Sequence, residues 1–200
     1  MLRPRRTARG FNLVELMIGI AIVAVLMMAG LPNLTAWLQN SHIRNAAETL
    51  QSGLQLARAE ALRRNATVRF QLVSNLTSGC ALSTSGKSWV VSLVDATGAC
   101  DAAPSETTAP QILQKKSGTE GAPNAVIAAT VSTISFNGLG RFSGGAATAT
   151  IDISNTTGGA CAAVGGGGGP MRCLRVAVTT GGQVRMCDPA VDDAADPRFC

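Results

Sequence analysis

Between Leu16 and Ile43 the chain carries no Asp, Glu, Lys or Arg, and from Leu16 to Leu31 it is almost wholly apolar. An ordinary surface helix keeps one polar face toward water, and this stretch has none. At 1.5 Å per residue a helix from Phe11 to Leu31 measures about 30 Å, the thickness of a bilayer's hydrocarbon core. Arg3, Arg5, Arg6 and Arg9 precede it and no basic residue follows directly. The positive-inside rule then predicts a cytoplasmic N-terminus, with everything after about Asn33 on the far side. A secretory signal peptide shares the basic start and apolar middle. Its cleavage site should follow the apolar run, where Ala29-Gly30-Leu31-Pro32 is an indifferent match. The junction Gly10-Phe11 lies before the run, so a cut there would leave the helix on the mature chain.

Glu15 stands inside the apolar segment. A carboxylate at membrane depth costs about 2.5–3.5 kcal/mol on insertion scales and therefore needs a partner. One candidate is the α-ammonium that a cut after Gly10 would create, on the same chain or on a neighbour. Such a pairing fixes the stagger between packed helices, because one register alone sets the charges opposite each other. The other reading has Glu15 snorkelling to the headgroups from near the helix end.

The formal charge of +5 suggests acidic partners, yet four of the seventeen basic residues fall in the first ten positions. Without them thirteen basic residues face twelve acidic ones, so any nucleic-acid contact must rest on a local patch. The six cysteines are Cys80, Cys100, Cys161, Cys173, Cys187 and Cys200, all in the polar part of the chain, with no Cys-x-x-Cys. Zinc sites want thiolates or imidazoles in tight pairs, and the one histidine, His42, lies far upstream. An even count behind an export signal points instead to disulfides in an oxidising compartment. Of the fifteen possible pairings, joining neighbours in sequence closes the shortest loops and is the preferred one.

After Pro32, where the loss of an intrahelical bond predicts a kink, Ile43, Ala47, Leu50, Leu54, Ala57 and Ala61 recur at spacings of four and three. Arg44, Glu48, Gln51, Gln55 and Arg58 take the other faces, so an amphipathic helix continues to about Asn65. If unbroken from Phe11, it is about 80 Å long. Beyond Ala66 short β-type runs follow: Thr67–Val73, Trp89–Val94, Gln111–Leu113, Val126–Ala129, Val131–Phe136, Ala149–Ile153, Leu174–Val178 and Val184–Met186. One long helix followed by strands predicts an α+β fold with antiparallel sheet packed on the helix's apolar stripe.

Arg9-Gly10-Phe11-Asn12-Leu13-Val14-Glu15-Leu16, with the apolar helix behind it, resembles the class III signal of type IV pilins and type II secretion pseudopilins. The resemblance implies cleavage after Gly10 by a prepilin peptidase, N-methylation of Phe11 and an assembly role for Glu15. It sharpens to the GspH/FimT group of minor pilins and pseudopilins. The residues that carry it are Leu56 to Ala61 with Arg64-Asn65, Trp89-Val90-Val91, Ile134 to Arg141, and Gln183 to Pro189. It implies four segments: a leader over 1–10, a transmembrane and filament-core helix over 11–34, an amphipathic extension over 35–65, and a disulfide-braced β domain over 66–200.

Other chemistries find little support. The Gly165–Gly169 run is followed by Pro170 rather than Gly-Lys-Ser/Thr, so it reads as a flexible loop and not a phosphate cradle. A serine triad needs a positioned histidine, and His42 sits beside the membrane exit. Asp188, Asp192, Asp193 and Asp196 lack the spacing of a calcium loop and read as a solvated turn. No metal, cofactor or catalytic residue is expected. Some FimT-type members are thought to take up DNA through a C-terminal Gly-Arg-x-Arg, and the matching stretch here is Gly182-Gln183-Val184-Arg185, with the first arginine missing. Arg185 with Arg172, Arg175 or Arg141 would form the patch for double-stranded DNA, each phosphate contact adding salt-dependent attraction.

The sequence therefore predicts a minor pilin in the inner membrane, its domain periplasmic, incorporated in a type IV pilus at or near the tip. Its partners would be the prepilin peptidase and other major and minor pilins or pseudopilins. An H-type pseudopilin of type II secretion and a DNA-binding pilin for transformation are the alternatives.

Overall fold

One helix, α1 (Leu13–Arg64), is followed by eight strands in the computed structural model, which describes residues 10, 12–145 and 148–200. The leader residues 1–9 and Phe11 lie outside the described ones. The chain divides into two units, Met1–Thr35 and Ala36–Cys200. In the first, the large apolar side chains of Leu13 to Met28 are exposed, from Val23 at 49% to Met28 at 80%. Among the described residues no helix is long and apolar enough to cross a membrane; the expected span takes in Phe11, outside them.

In the second unit the helix stripe is the spine of the core. Ile43, Ala47, Leu50, Leu54, Ala57 and Ala61 are all buried. The helix stops where the sequence supplies a left-handed residue, Asn65, at φ +48°. Asn65 N–H bonds to the Leu62 carbonyl and Ala66 N–H to the Ala61 carbonyl, the paired bonds of a Schellman stop. Arg63 and Arg64 sit in the last turn, where the helix dipole favours cations. Glu60 and Glu106 pair with both, which ties the loop at 106 to the helix end.

The strands form two antiparallel four-stranded sheets. The first joins β1 (Val68–Val73), β2 (Ser88–Ser92), β3 (Ile112–Lys116) and β5 (Thr133–Phe136) in the order β3-β2-β1-β5. The second joins β4 (Val126–Ala129), β6 (Thr148–Ser154), β7 (Leu174–Thr179) and β8 (Val184–Cys187) in the order β4-β6-β7-β8. Burial distinguishes them. On β6, Ala149, Ile151 and Ile153 are buried and their neighbours are not, the alternation of a sheet with one wet face. On β2 every residue is buried, because both faces are covered. Trp89 and Val91 join the helix core, while Val90 joins a second cluster with Val73, Cys80, Ala96, Cys100 and Ile112.

That second cluster lies under the Cys80–Cys100 disulfide. Cys161 bonds to Cys173 and Cys187 to Cys200, so each bond joins neighbours in sequence. Two polar devices hold the first loop. Lys115 Nζ donates to the carbonyls of Cys100, Asp101 and Ala102 at 2.9, 2.9 and 3.0 Å. Gln71, 1% exposed, donates to Asp95 Oδ1 at 2.8 Å and accepts from Ala96 N–H at 2.9 Å.

The bond from Gln71, with those from the Thr97 N–H and hydroxyl, holds the Asp95 carboxyl below its usual range. A carboxyl lowered on folding stabilises the native state above its ordinary pKa of 3.8 and loses that contribution as pH falls below it. Asp95→Asn keeps an acceptor oxygen and removes the titration. Thermal melts of the variant at pH values below 3.8 are expected to show a shallower acid loss of Tm than the parent. Superimposable profiles would count against Asp95 as an acid-sensitive clasp.

The glycine run differs from a loose loop. Val164–Gly166 form a 3₁₀ turn, Ala163 N–H bonds to the Gly167 carbonyl at 2.8 Å, and Gly169 N–H bonds to the Cys161 carbonyl at 2.9 Å. Gly168 and Gly169 lie so close to the backbone of residues 160–163 that a Cβ on either would collide with it. Close backbone approach accounts for the glycines there.

Candidate functional site

The N-terminal candidate rests on one charged group. Glu15 lies in the first turn of α1, where a carboxylate complements the positive helix end. It is exposed and shares a shallow groove with Leu16, Gly19, Ile20 and Val23. No cation of the described first unit accompanies it, because Gly10 and residues 12–35 include no Lys or Arg. Phe11, the expected cleavage and methylation residue, lies outside the described residues; Gly10 is exposed.

The four arginines considered for DNA fall into different settings. Arg175 faces Asp152 across β6 and β7, with Nε to Oδ1 at 2.6 Å and Nη2 to Oδ2 at 3.1 Å. That two-bond fork raises the arginine pKa further and leaves little charge to offer a phosphate. Arg185 lies beside Ala177 in the next row. Its Nη2 donates to the carbonyls of Phe199 and Cys200 at 2.6 and 3.1 Å, so it serves the C-terminal segment that Cys187–Cys200 staples to β8.

Arg141 and Arg172 are freer. Arg141 is exposed, and among the described residues its side chain has no hydrogen bond or ion pair. It closes a tight loop in which Asn137 Oδ1 accepts from Leu139 and Arg141 N–H, both at 3.0 Å. Gly182, in the turn between β7 and β8, packs on the backbone of Gly140 and Arg141. Arg172 precedes β7 at the opposite end of the same hairpin. β7 is six residues long, so about 20 Å of strand lies between the two ends. Arg141 and Arg172 therefore belong to separate places and not to one patch.

At the Arg172 end a cleft of about 460 Å³ opens, lined by Asn40 and Arg44 from α1, with Arg172, Asp188 and Arg198. The Arg172 N–H donates to Asn40 Oδ1 at 2.7 Å, and the guanidinium is 70% exposed. Asp188 is buried 3.8 Å from it, beyond hydrogen-bond distance. Arg44 pairs with Glu48 and Arg198 with Asp196, which pulls the Asp196 carboxyl down to about 2. Sequence reasoning missed this cleft. Its local signal is the polar run from Gln39 to His42 on α1, in which Asn40 bonds to a segment 130 residues away.

The aspartate cluster forms turns. Asp188, Asp193 and Asp196 each accept the backbone N–H two residues ahead, at 2.9, 2.9 and 2.8 Å, the bond of an Asx turn. Among the described residues no group of three His, Cys, Asp or Glu side chains could hold a metal ion.

A long N-terminal helix bearing one carboxylate in its first turn, its second half packed on antiparallel sheets, is the architecture of a pilin-type subunit. The sequence matches two family models. The prokaryotic N-terminal methylation motif covers residues 5–31, and the type II transport protein GspH covers residues 46–182. The chain belongs to the GspH family of minor pilins and pseudopilins, a structural pilin family. Two crystal structures of the type IV minor pilin FimU from Pseudomonas aeruginosa (strain PAO1) are similar to it. They show 16% and 18% identity and cover 76% of this chain. The matches take in 97% and 92% of the FimU chains, with TM-scores of 0.47 and 0.49. No curated protein matches the chain.

Proposed function

We propose that this chain is a minor pilin that supports assembly of a type IV pilus, at or near its tip. The prepilin peptidase cuts between Gly10 and Phe11, and Phe11 is N-methylated. The apolar helix holds the subunit in the inner membrane with its domain in the periplasm, then packs in the filament core beside other pilins. Glu15 neutralises an N-terminal amine there. The observation that carries this reading is the methylation motif over residues 5–31, which takes in the start of α1 and Glu15, the one acid in that helix's apolar half. Three disulfides suit a domain held in an oxidising compartment, the periplasm or the cell exterior.

Deleting the gene separates this from its rivals. Loss of surface pili is the expected result. Intact pili with exported enzymes retained in the cell would assign the chain to the type II secretion machine as an H-type pseudopilin. Intact pili with failed DNA uptake would favour a DNA receptor, for which the exposed Arg141 and Arg172 are better placed than Arg175 or Arg185.

A further inference from the structure

Trp37 is 65% exposed and Leu38 44%, on the same helix and only a few residues past the apolar run. A large aromatic facing water is unusual, and among the described residues its indole N–H has no partner. The polar grip of the domain begins directly beyond it. Gln39 Oε1 accepts from Asn124 at 3.1 Å and Asn155 at 2.7 Å, while Asn40 holds Pro170 and Arg172. Trp37 is the second residue of the second unit, on a face that unit leaves uncovered. The same end carries Arg44 and Arg172, 74% and 70% exposed. The acids facing them are Glu48, paired with Arg44, and the buried Asp188 near Arg172.

We propose that this end is a lipid-facing collar: before assembly Trp37 sits in the headgroup layer, and Arg44 and Arg172 reach headgroup phosphates. The proposal rests on the membrane-anchored reading above. Tryptophan favours this zone because its ring is apolar and its N–H polar. Arginines beside it complement anionic headgroups and have stems long enough to reach them. An aromatic residue followed by basic ones fits the change from hydrocarbon to phosphate along the bilayer normal. A protein interface also favours tryptophan and arginine, so a partner protein is the competing outcome, read when Trp37 stays unquenched in a chain that floats.

The full-length chain, reconstituted in phosphatidylcholine and phosphatidylglycerol vesicles with acyl chains brominated near the headgroup, tests the idea by fluorescence. The emission lost in Trp37→Phe is the contribution of Trp37. The other tryptophan, Trp89, is buried in the core and serves as the internal reference. Quenching of the Trp37 emission by the brominated lipid, with Trp89 unaffected, is expected. Arg44→Gln with Arg172→Gln should remove the extra quenching gained when phosphatidylglycerol replaces phosphatidylcholine. Vesicle flotation separates the two levels of failure. A chain that floats while Trp37 stays unquenched and open to aqueous iodide overturns the collar alone. A chain that does not float overturns the membrane reading and the collar with it.

Discussion

Replacing Glu15 by alanine is expected to leave the chain in the membrane fraction and to strip it from filaments. The two outcomes draw on different energies. Insertion becomes easier, because the carboxylate that costs about 2.5–3.5 kcal/mol at membrane depth is gone. Assembly becomes harder, because a neighbouring ammonium would then be buried without its partner. Removing one member of a buried ion pair costs about 3–5 kcal/mol, so incorporation should drop by about two to three and a half orders of magnitude. Glu15→Gln, which keeps size and a hydrogen-bond acceptor, should recover little if charge is what matters. Sheared filaments and membranes probed from the same cells give both numbers. Equal filament recovery from parent and variant would sink the assembly role.

The largest single loss of stability is expected from Phe70→Ala. Phe70 on β1 is fully buried, and its ring lies 5.4 Å from that of Trp89 on β2. Both rings abut Gly53 of α1, where an added Cβ would come within 2.8 Å of Phe70 and 3.0 Å of Trp89. A glycine in mid-helix costs about 1 kcal/mol against alanine, a cost offset here because strand and helix can close on the rings. Truncating Phe70 leaves a hole whose helix wall has no side chain to fill it. The cost should therefore approach the upper end of the usual range of about 3–5 kcal/mol. Urea unfolding measures it, and a loss under about 1 kcal/mol would mean that the core repacks freely.

Much of the fold is legible because periodicity and burial coincide. The spacing of Ile43 to Ala61 names the buried face of the helix, and the eight apolar runs name the eight strands. Misjudged edges have local causes. β3 continues through Lys115 and Lys116, where charge hides a strand, because Lys115 is used up on loop carbonyls and Lys116 pairs with Glu120. β2 stops at Ser92, short of Val94, where the register with β3 shifts and the Ser92 hydroxyl turns to the Val94 carbonyl. Contacts between distant segments leave no local trace. The hold of Asn155 on Gln39 and the service of Arg185 to the C-terminal carbonyls are set by topology, so the sequence presents four arginines as equals where the structure separates them.

Lys115 Nζ fills a cage of backbone oxygens. Three convergent carbonyl oxygens are the kind of cage that would otherwise attract a free cation, and here the cation is part of the chain. A tethered ammonium has no dissociation constant against the medium, so dilution, chelators and scarce divalent ions leave the occupancy unchanged. Whatever salts surround the domain, that loop keeps its shape with a cation built into the chain.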